Sequence, residues 1–348
     1  MATTTHQKLP AGTTPVARAT MTAIVQDEYG SSEVLHLATI PRPVITDNEV
    51  LVHVHAAGLA RGDWHVMTGK PYLLRLGFGV RRPRNPVAGS DLAGTVVETG
   101  SSVTRFAVGD EVFGFGRGSF AEYTAAPENK LARKPANTTF EQAAALPVSG
   151  LTALGAVYDA GRVKAGQKVL VTGASVGVGS FAVQLAKAAG AEVTGTASTS
   201  KLDLVRRLGA DHVVDYTRED FADGKHHYDV IIDIAGNPTI SRLRRALTPT
   251  GTAVIVGGEE GGNFSGGMNR QFRALALSSV VRQRLTMSLC KQHFTGLERL
   301  SELVETDAVI AAVDRTYPLA DAPSAMAALE AGRVSGKVVI TCREDPSS

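Results

Sequence analysis

The sequence predicts an α/β chain in two parts, a β-rich part first and a doubly wound, mostly parallel sheet after it. Three observations carry this reading. Short strand signals separated by Gly and Asp turns crowd residues 22–125, and from about Thr139 strands alternate with helices instead. The stretch Lys168 to Gly190 then reads as strand, tight glycine turn and helix in immediate succession. Many short strands suit a partly open barrel-like domain, whereas alternation gives a parallel sheet covered on both faces.

The bulk composition bounds the rest. At 348 residues the chain suits two domains and can bury sizeable cores without staples. Its 43% hydrophobic and 20% charged residues are ordinary for a soluble globular protein, and a net charge of +2 gives no large field for nucleic acid or an anionic membrane. Two cysteines, Cys290 and Cys342, form neither a zinc cluster by themselves nor a disulfide framework, so a reducing, cytoplasmic interior is expected. No run approaches the roughly 20 apolar residues that span a bilayer.

Residues 1–20 are rich in Thr, Ala and Pro and lack acidic residues. A flexible N-terminal extension is expected there, in preference to an organelle presequence, because no Arg-rich amphipathic helix accompanies the acid-poor composition. Strands follow at Thr22–Gln26, Leu35–Leu37, Glu49–Ala56, Gly94–Glu98, Glu111–Phe113 and Ala121–Ala125, with Val50, Val52 and Val54 alternating cleanly.

In the second part, Val169, Leu170 and Val171 form a buried-type strand that meets Gly173, Gly177 and Gly179. Val178, Ala182, Leu185 and Ala189 then fall on one helical face. Such a turn points unpaired backbone N–H groups, at the positive end of a helix dipole, toward an anion. A pyrophosphate held by Ser175, Val176, Gly177 and Val178 makes this a dinucleotide site. Strands at Glu192–Ala197, His212–Tyr216, Asp229–Ile234 and Thr252–Val256 complete five, Leu285–Leu289 offers a sixth, and helices run through Leu202–Leu208 and Ser241–Leu247.

The second strand runs into Thr196-Ala-Ser-Thr-Ser-Lys201, with no carboxylate between Glu192 and Asp203. An acidic side chain there would hold the ribose hydroxyls of NAD; Ser198 and Lys201 instead favour the 2′-phosphate of NADP(H), with use of both cofactors as the alternative. Ser198 to Ser200 can also cap the following helix, a compatible role. Residues 257–267 are glycine-rich and read as a mobile loop. Asn269 to Arg284 is basic and amphipathic, with Phe272, Leu275, Val280 and Val281 against Arg270, Arg273, Arg282 and Arg284, and is expected to present a solvated face or a partner contact. The chain ends with a strand near Ala311–Val313, a helix over Ala322–Glu330 and a strand at Lys337–Thr341.

Taken in order, Met21-Thr-Ala-Ile-Val-Gln, Val54-His-Ala-Ala-Gly58, Gly109-Asp110, the lead-in from Leu146-Pro147 to Thr152, the glycine turn, Gly209-Ala-Asp-His-Val-Val-Asp-Tyr216 and Gly336-Lys-Val-Val resemble one family. It is the medium-chain dehydrogenase/reductases, in their zinc-independent branch of quinone oxidoreductases and enone reductases that includes zeta-crystallin. The resemblance covers roughly residues 21–341. It implies a GroES-like catalytic domain from residues 21–145 with 307–348, and a Rossmann domain from residues 146–306, with cofactor and substrate in the cleft between them. It further implies Tyr216 beside Lys201 at the 2′-phosphate, Thr152 and Gly257 at the nicotinamide end, Gly236 and Asn237 along the cofactor, and a homodimer paired through sheet edges near residues 285–290.

Departures from the zinc-using alcohol dehydrogenases of the same superfamily are part of the reading. Ala60 stands where those enzymes carry a ligand cysteine, Ser90-Asp91 where they carry His-Glu, and their four-cysteine lobe is missing. His53, His55 and His65 offer no ligand set at a diagnostic spacing. Relatives often carry a polar residue at the position of Ala60 and a glycine at that of Val176, so a polar contact is lost at the first and the phosphate turn is reshaped at the second.

Without a Lewis acid to stabilise an alkoxide, hydride transfer to a quinone or to the activated C=C bond of an enone or alkenal is the expected chemistry, with water supplying the proton. Tyr72 is the candidate donor to the substrate carbonyl, with Asp63 and Arg61 as organisers. Packing for Trp64 and Tyr72 and helix capping for Asp63 are the alternatives. Arg75, Arg81, Arg82 and Arg84 read as a solvated loop in preference to a seat for an anionic substrate tail. A regulatory or structural NADPH-binding protein, or an alcohol dehydrogenase, are the competing functions.

Overall fold

The computed structural model describes residues 19–257 and 262–342. The expected extension up to residue 18, residues 258–261 of the glycine-rich loop and residues 343–348 lie outside the described residues.

The β-rich part begins with an antiparallel pair, β1 (Thr20–Val25) and β2 (His36–Pro41). Its main sheet is built on β3 (Glu49–Leu59), which is buried along nearly its whole length because it has neighbours on both edges. One edge carries β4 (Asp91–Thr99), followed outward by β5 (Glu111–Phe115) and β7 (Leu131–Arg133); the other carries β6 (Tyr123–Pro127) along residues 49–53. Helices α1 (Arg61–Thr68) and α2 (Arg75–Phe78) follow β3, and α3 (Phe140–Ala144) crosses the sheet. Val50, Val52 and Val54 are fully buried, and His55, on the opposite face, stacks on Phe140 with ring centroids 4.0 Å apart.

The second part opens with α4 (Pro147–Leu154), continued by a π-helical turn at Gly155–Ala160. It then alternates β8 (Lys168–Thr172), α5 (Gly177–Ala188), β9 (Glu192–Ala197), α6 (Leu202–Arg207), β10 (His212–Asp215), β11 (Tyr228–Asp233), α7 (Ile240–Ala246), β12 (Leu247–Ile255), α8 (Met268–Ser278), β13 (Arg284–Met287) and α9 (Phe294–Glu305). The six strands are parallel in the order β10-β9-β8-β11-β12-β13. The order reverses at β8, so its carboxyl end faces a crevice, the place where open α/β sheets bind ligands. Val169, Leu170 and Val171 are fully buried from both faces, as a near-continuous apolar strand requires.

The chain then returns to the first sheet. β14 (Val313–Pro318) lies parallel to β15 (Lys337–Thr341), α10 (Ala322–Glu330) connects them, and β15 runs antiparallel to residues 56–59 of β3.

Several segments differ from the sequence reading, each for a physical reason. The strand expected at Ala121–Ala125 is shifted to Tyr123–Pro127, because its register is set by pairing Glu49 with Pro127 rather than by its own pattern. β7 carries only three residues, and the strand expected near Ala311–Val313 is displaced to β14, a largely exposed edge strand whose residues show no apolar alternation to mark it. The basic stretch from Asn269 to Arg284 is not one helix: α8 ends at Ser278 and Arg284 belongs to β13, its guanidinium bonded to Ala160 O.

Candidate active site in the interdomain crevice

The glycine turn sits between β8 and α5. Gly173 takes φ +65°, a left-handed conformation open to glycine, and a Cβ on Gly179 would lie 2.0 Å from Gly173 O. The turn is therefore packed helix against strand with no room for a side chain. Val176 caps α5 at φ −101° and ψ 170°, an extended conformation that a valine adopts without strain. The N–H groups that open a helix have no intrahelical acceptor, and at the start of α5 they stand at the positive end of its dipole.

The far wall is the returning C-terminal segment. Gly336 N donates to Ser175 O at 2.7 Å, and a Cβ on Gly177 would lie 3.0 Å from Ser149 Oγ and 3.2 Å from Lys337 Cδ. Lys337 is 2% exposed, and its ammonium donates to Leu59 O at 2.9 Å and Ser149 Oγ at 3.2 Å, 3.9 Å from Asp91 Oδ2. Asp91 is 1% exposed; Oδ2 accepts Val148 N–H at 3.1 Å, while Oδ1 has no hydrogen-bond partner. Burial pushes the Asp91 carboxyl up to about 7, against the pull of Lys337, and pushes the Lys337 ammonium down. Asp63 belongs to the same charged cluster: burial raises it to about 6, opposed by the Ala60 N–H and by Lys337.

Asp63 Oδ2 accepts the Ala60 N–H at 2.8 Å, which is the capping role, and Asp63 also lines a cavity of about 570 Å³ with Met67, Phe78 and Ser90, whose walls come from the β-rich part and from Met326 of α10. Arg61 stacks over Trp64 at 4.2 Å, and the Trp64 indole donates to Glu330 of α10 at 3.2 Å, so Trp64 packs. Tyr72 is 42% exposed; its backbone N–H donates to Asn263 O at 2.8 Å, tying the loop after α1 to the glycine-rich loop of the other domain. The Tyr72 ring lies under the Arg75 guanidinium at 4.6 Å, while Asp63 is held by the Ala60 N–H and Arg61 lies over Trp64.

At the carboxyl ends of β9 and β10, Ser198 opens a turn without a side-chain cap bond, and Tyr216 is 58% exposed. Lys201 donates to Val334 O at 2.6 Å and Gly332 O at 3.1 Å, so two of its three N–H donors already bridge to the C-terminal segment. Burial moves its ammonium downward, with Asp314 opposing. One carboxylate escaped the sequence reading: Asp215 ends β10 nearby. It is buried and saturated by the Thr199 hydroxyl and by Thr217, whose N–H and hydroxyl lie at 3.0 and 2.6 Å.

Thr152, on α4, has its hydroxyl bonded back to Val148 O at 2.6 Å. Gly236 and Asn237, after β11, take φ +84° and +38°, and Gly257, after β12, approaches so closely that a Cβ would lie 1.8 Å from Ile234 O. Arg270 corrects the expectation of a solvated basic face. It is inward-facing, 2.7 Å from Asp233 Oδ2, and donates to Pro238 O at 2.7 Å and Gly257 O at 3.0 Å.

A catalytic zinc does not fit these residues. Among the described residues no three His, Cys, Asp or Glu side chains come together as ligands. Ala60 has no donor, Asp91 is engaged by Val148 and Lys337, His55 is bonded to Thr95 and His65 to Lys70 O. No described helix is long and apolar enough to cross a membrane.

Comparison with known proteins agrees with this architecture. Residues 46–136 match the family described as alcohol dehydrogenase GroES-like domain, and residues 208–340 match that described as zinc-binding dehydrogenase. The chain is 32% identical over 338 residues to the chloroplast envelope quinone oxidoreductase homolog of Arabidopsis thaliana, covering 92% of this chain and 98% of that protein. It is 34% identical over 339 residues to the chloroplastic NADPH-dependent alkenal/one oxidoreductase of the same plant, covering 92% and 79%. The solved quinone oxidoreductase of Coxiella burnetii superposes with a TM-score of 0.82 at 31% identity, over 93% of this chain and 100% of that one. With a GroES-like sheet, a six-stranded parallel Rossmann sheet and these relatives, the chain belongs to the medium-chain dehydrogenase/reductases, in their quinone oxidoreductase branch.

Proposed function

We propose that the protein is an NADPH-dependent reductase that passes hydride to a quinone or to the activated C=C bond of an enone or alkenal, without zinc. The observation that carries this is the glycine turn at the start of α5, cradled by Gly173 and Gly179, opening beside a charged floor that lacks a zinc ligand set. The names of the relatives, a quinone oxidoreductase homolog and an alkenal/one oxidoreductase, support the acceptor class.

In this reading the backbone of Ser175, Val176, Gly177 and Val178 binds the pyrophosphate. Ser198, the remaining donor of Lys201 and Tyr216 bind the 2′-phosphate. Thr152, Gly236, Asn237 and Gly257 line the nicotinamide half. Bound there, NADPH supplies the hydride to the electron-poor carbon of the acceptor, and water supplies the proton. Tyr72 donates to the acceptor carbonyl, and Asp63 and Arg61 hold α1 at the floor of the site. β13 is the outer strand of the Rossmann sheet, and two copies pair there as a homodimer.

The test is NADPH and NADH oxidation with a panel of quinones, enones and alkenals. Turnover with NADPH on one of these classes is expected. NADPH binding with no turnover on any acceptor would leave a regulatory binding protein instead.

A further inference from the structure

The carboxyl ends of the central strands are joined by a chain of buried polar contacts. On β8, the residue before Gly173 is Thr172, whose hydroxyl donates to Asp233 Oδ1 at 3.0 Å and accepts the Ile234 N–H at 2.9 Å. Asp233, fully buried at the end of β11, meets the Arg270 guanidinium of α8 at 2.7 Å. Arg270 then donates to Pro238 O at 2.7 Å and Gly257 O at 3.0 Å. One side chain thereby touches the strand end, the loop after β11 and the loop after β12.

A buried ion pair is a costly way to stabilise a sheet, because desolvation of two charges offsets most of their attraction. Here burial raises the Asp233 carboxyl, and Arg270 and Thr172 pull it back. What the guanidinium gives in return is geometry. Its planar fork reaches three acceptors in directions fixed by the plane, whereas the three donors of an ammonium rotate about its flexible stem. The loop carbonyls the guanidinium reaches lie on segments of unusual backbone: Gly236 and Asn237 take left-handed conformations, and Gly257, packed against Ile234 O, donates its own N–H to Asp233 O at 3.2 Å.

We infer that Arg270, seated on Asp233, is a positioning residue for the cofactor, holding residues 236–238 and Gly257 at the distance from the Gly173 turn that the bound dinucleotide requires. The inference rests on the reading that NADPH occupies this crevice. It assigns Arg270 no contact with the cofactor.

The experiment uses the full chain with three variants, Arg270→Met, Arg270→Lys and Asp233→Asn. It measures NADPH affinity by nicotinamide fluorescence, steady-state kinetics at saturating NADPH, and amide hydrogen exchange of residues 234–238 and 256–257 without cofactor. Arg270→Met is expected to weaken NADPH binding by about tenfold or more, to speed exchange in both loops, and to leave the acceptor KM unchanged. Arg270→Lys keeps the charge on Asp233 and is expected to rescue stability but not NADPH affinity. An Arg270→Met protein with a lowered Tm but unchanged NADPH affinity has lost a merely structural ion pair, and the inference falls. Failure of the wild-type chain to bind NADPH is a different result; it removes the cofactor reading, and this inference with it.

Discussion

Replacing Lys337 by Met keeps most of the length of the side chain and removes the ammonium group. At an effective dielectric of about 20, its 3.9 Å separation from Asp91 Oδ2 corresponds to about 4 kcal/mol of attraction. The full amount is not lost, because Asp91 escapes by taking up a proton. With its carboxyl near 7, the ionised form at about pH 8 is favoured by about one pH unit, or about 1.4 kcal/mol. Losing the two hydrogen bonds to Leu59 O and Ser149 Oγ adds about 1 kcal/mol each. The expected destabilisation is therefore about 3 kcal/mol at about pH 8 and about 2 kcal/mol at about pH 6. The sign follows from the folded carboxyl lying above its unfolded value near 3.8: the stability from its proton is complete below that value and is lost as pH rises through about 7. Urea unfolding followed at Trp64 is the assay, since this single tryptophan sits in α1, bonded to α10 of the same sheet domain. The Asp91→Asn, Lys337→Met double variant should lose the part of the pH dependence that Asp91 carries, leaving that of Asp63, raised to about 6. A loss for Lys337→Met that is the same at both pH values would refute the coupling.

Two further exchanges test the crevice. Gly179→Ala places a Cβ 2.0 Å from Gly173 O, so the turn must open; NADPH affinity should fall by more than about tenfold, and an unchanged dissociation constant would show that the turn binds no pyrophosphate. Lys201→Ala removes a charge-assisted contact worth about 1.5–3 kcal/mol, so the KM for NADPH should rise by about tenfold to a hundredfold with that for NADH little changed. Equal effects on the two cofactors would mean that Lys201 serves only its bridge to Gly332 and Val334.

The parts of the site that depend on local geometry were legible in the sequence. A strand, Gly173, Gly179 and an apolar helix face specify a tight turn from neighbouring residues alone. The places of Ser198 and Lys201 after β9 follow from knowing where a parallel strand ends, whereas Tyr216 was set beside them by the family resemblance alone. The charged groups were not legible, because their burial is decided by partners far away in the chain. Lys337 stands at the head of an apolar strand and carries no local sign that it is enclosed; its acceptor Leu59 is 278 positions away. Arg270 lies among exposed arginines on an amphipathic pattern, and only the loop carbonyls of Pro238 and Gly257 with Asp233 turn it inward. Asp91 drew attention as the place of a missing zinc ligand, but its pairing with Lys337 needed the return of β15 along β3. Composition gave no help with β14, an edge strand that faces solvent.

The most direct test of hydride transfer in this crevice is the acceptor panel run with NADPH deuterated at C4, on each face in turn, with the product examined by NMR. Deuterium from one face only, delivered to the β-carbon of an enone or alkenal product, is the predicted result for that acceptor class. Reduction of such an acceptor with no deuterium in the product from either face would contradict the account.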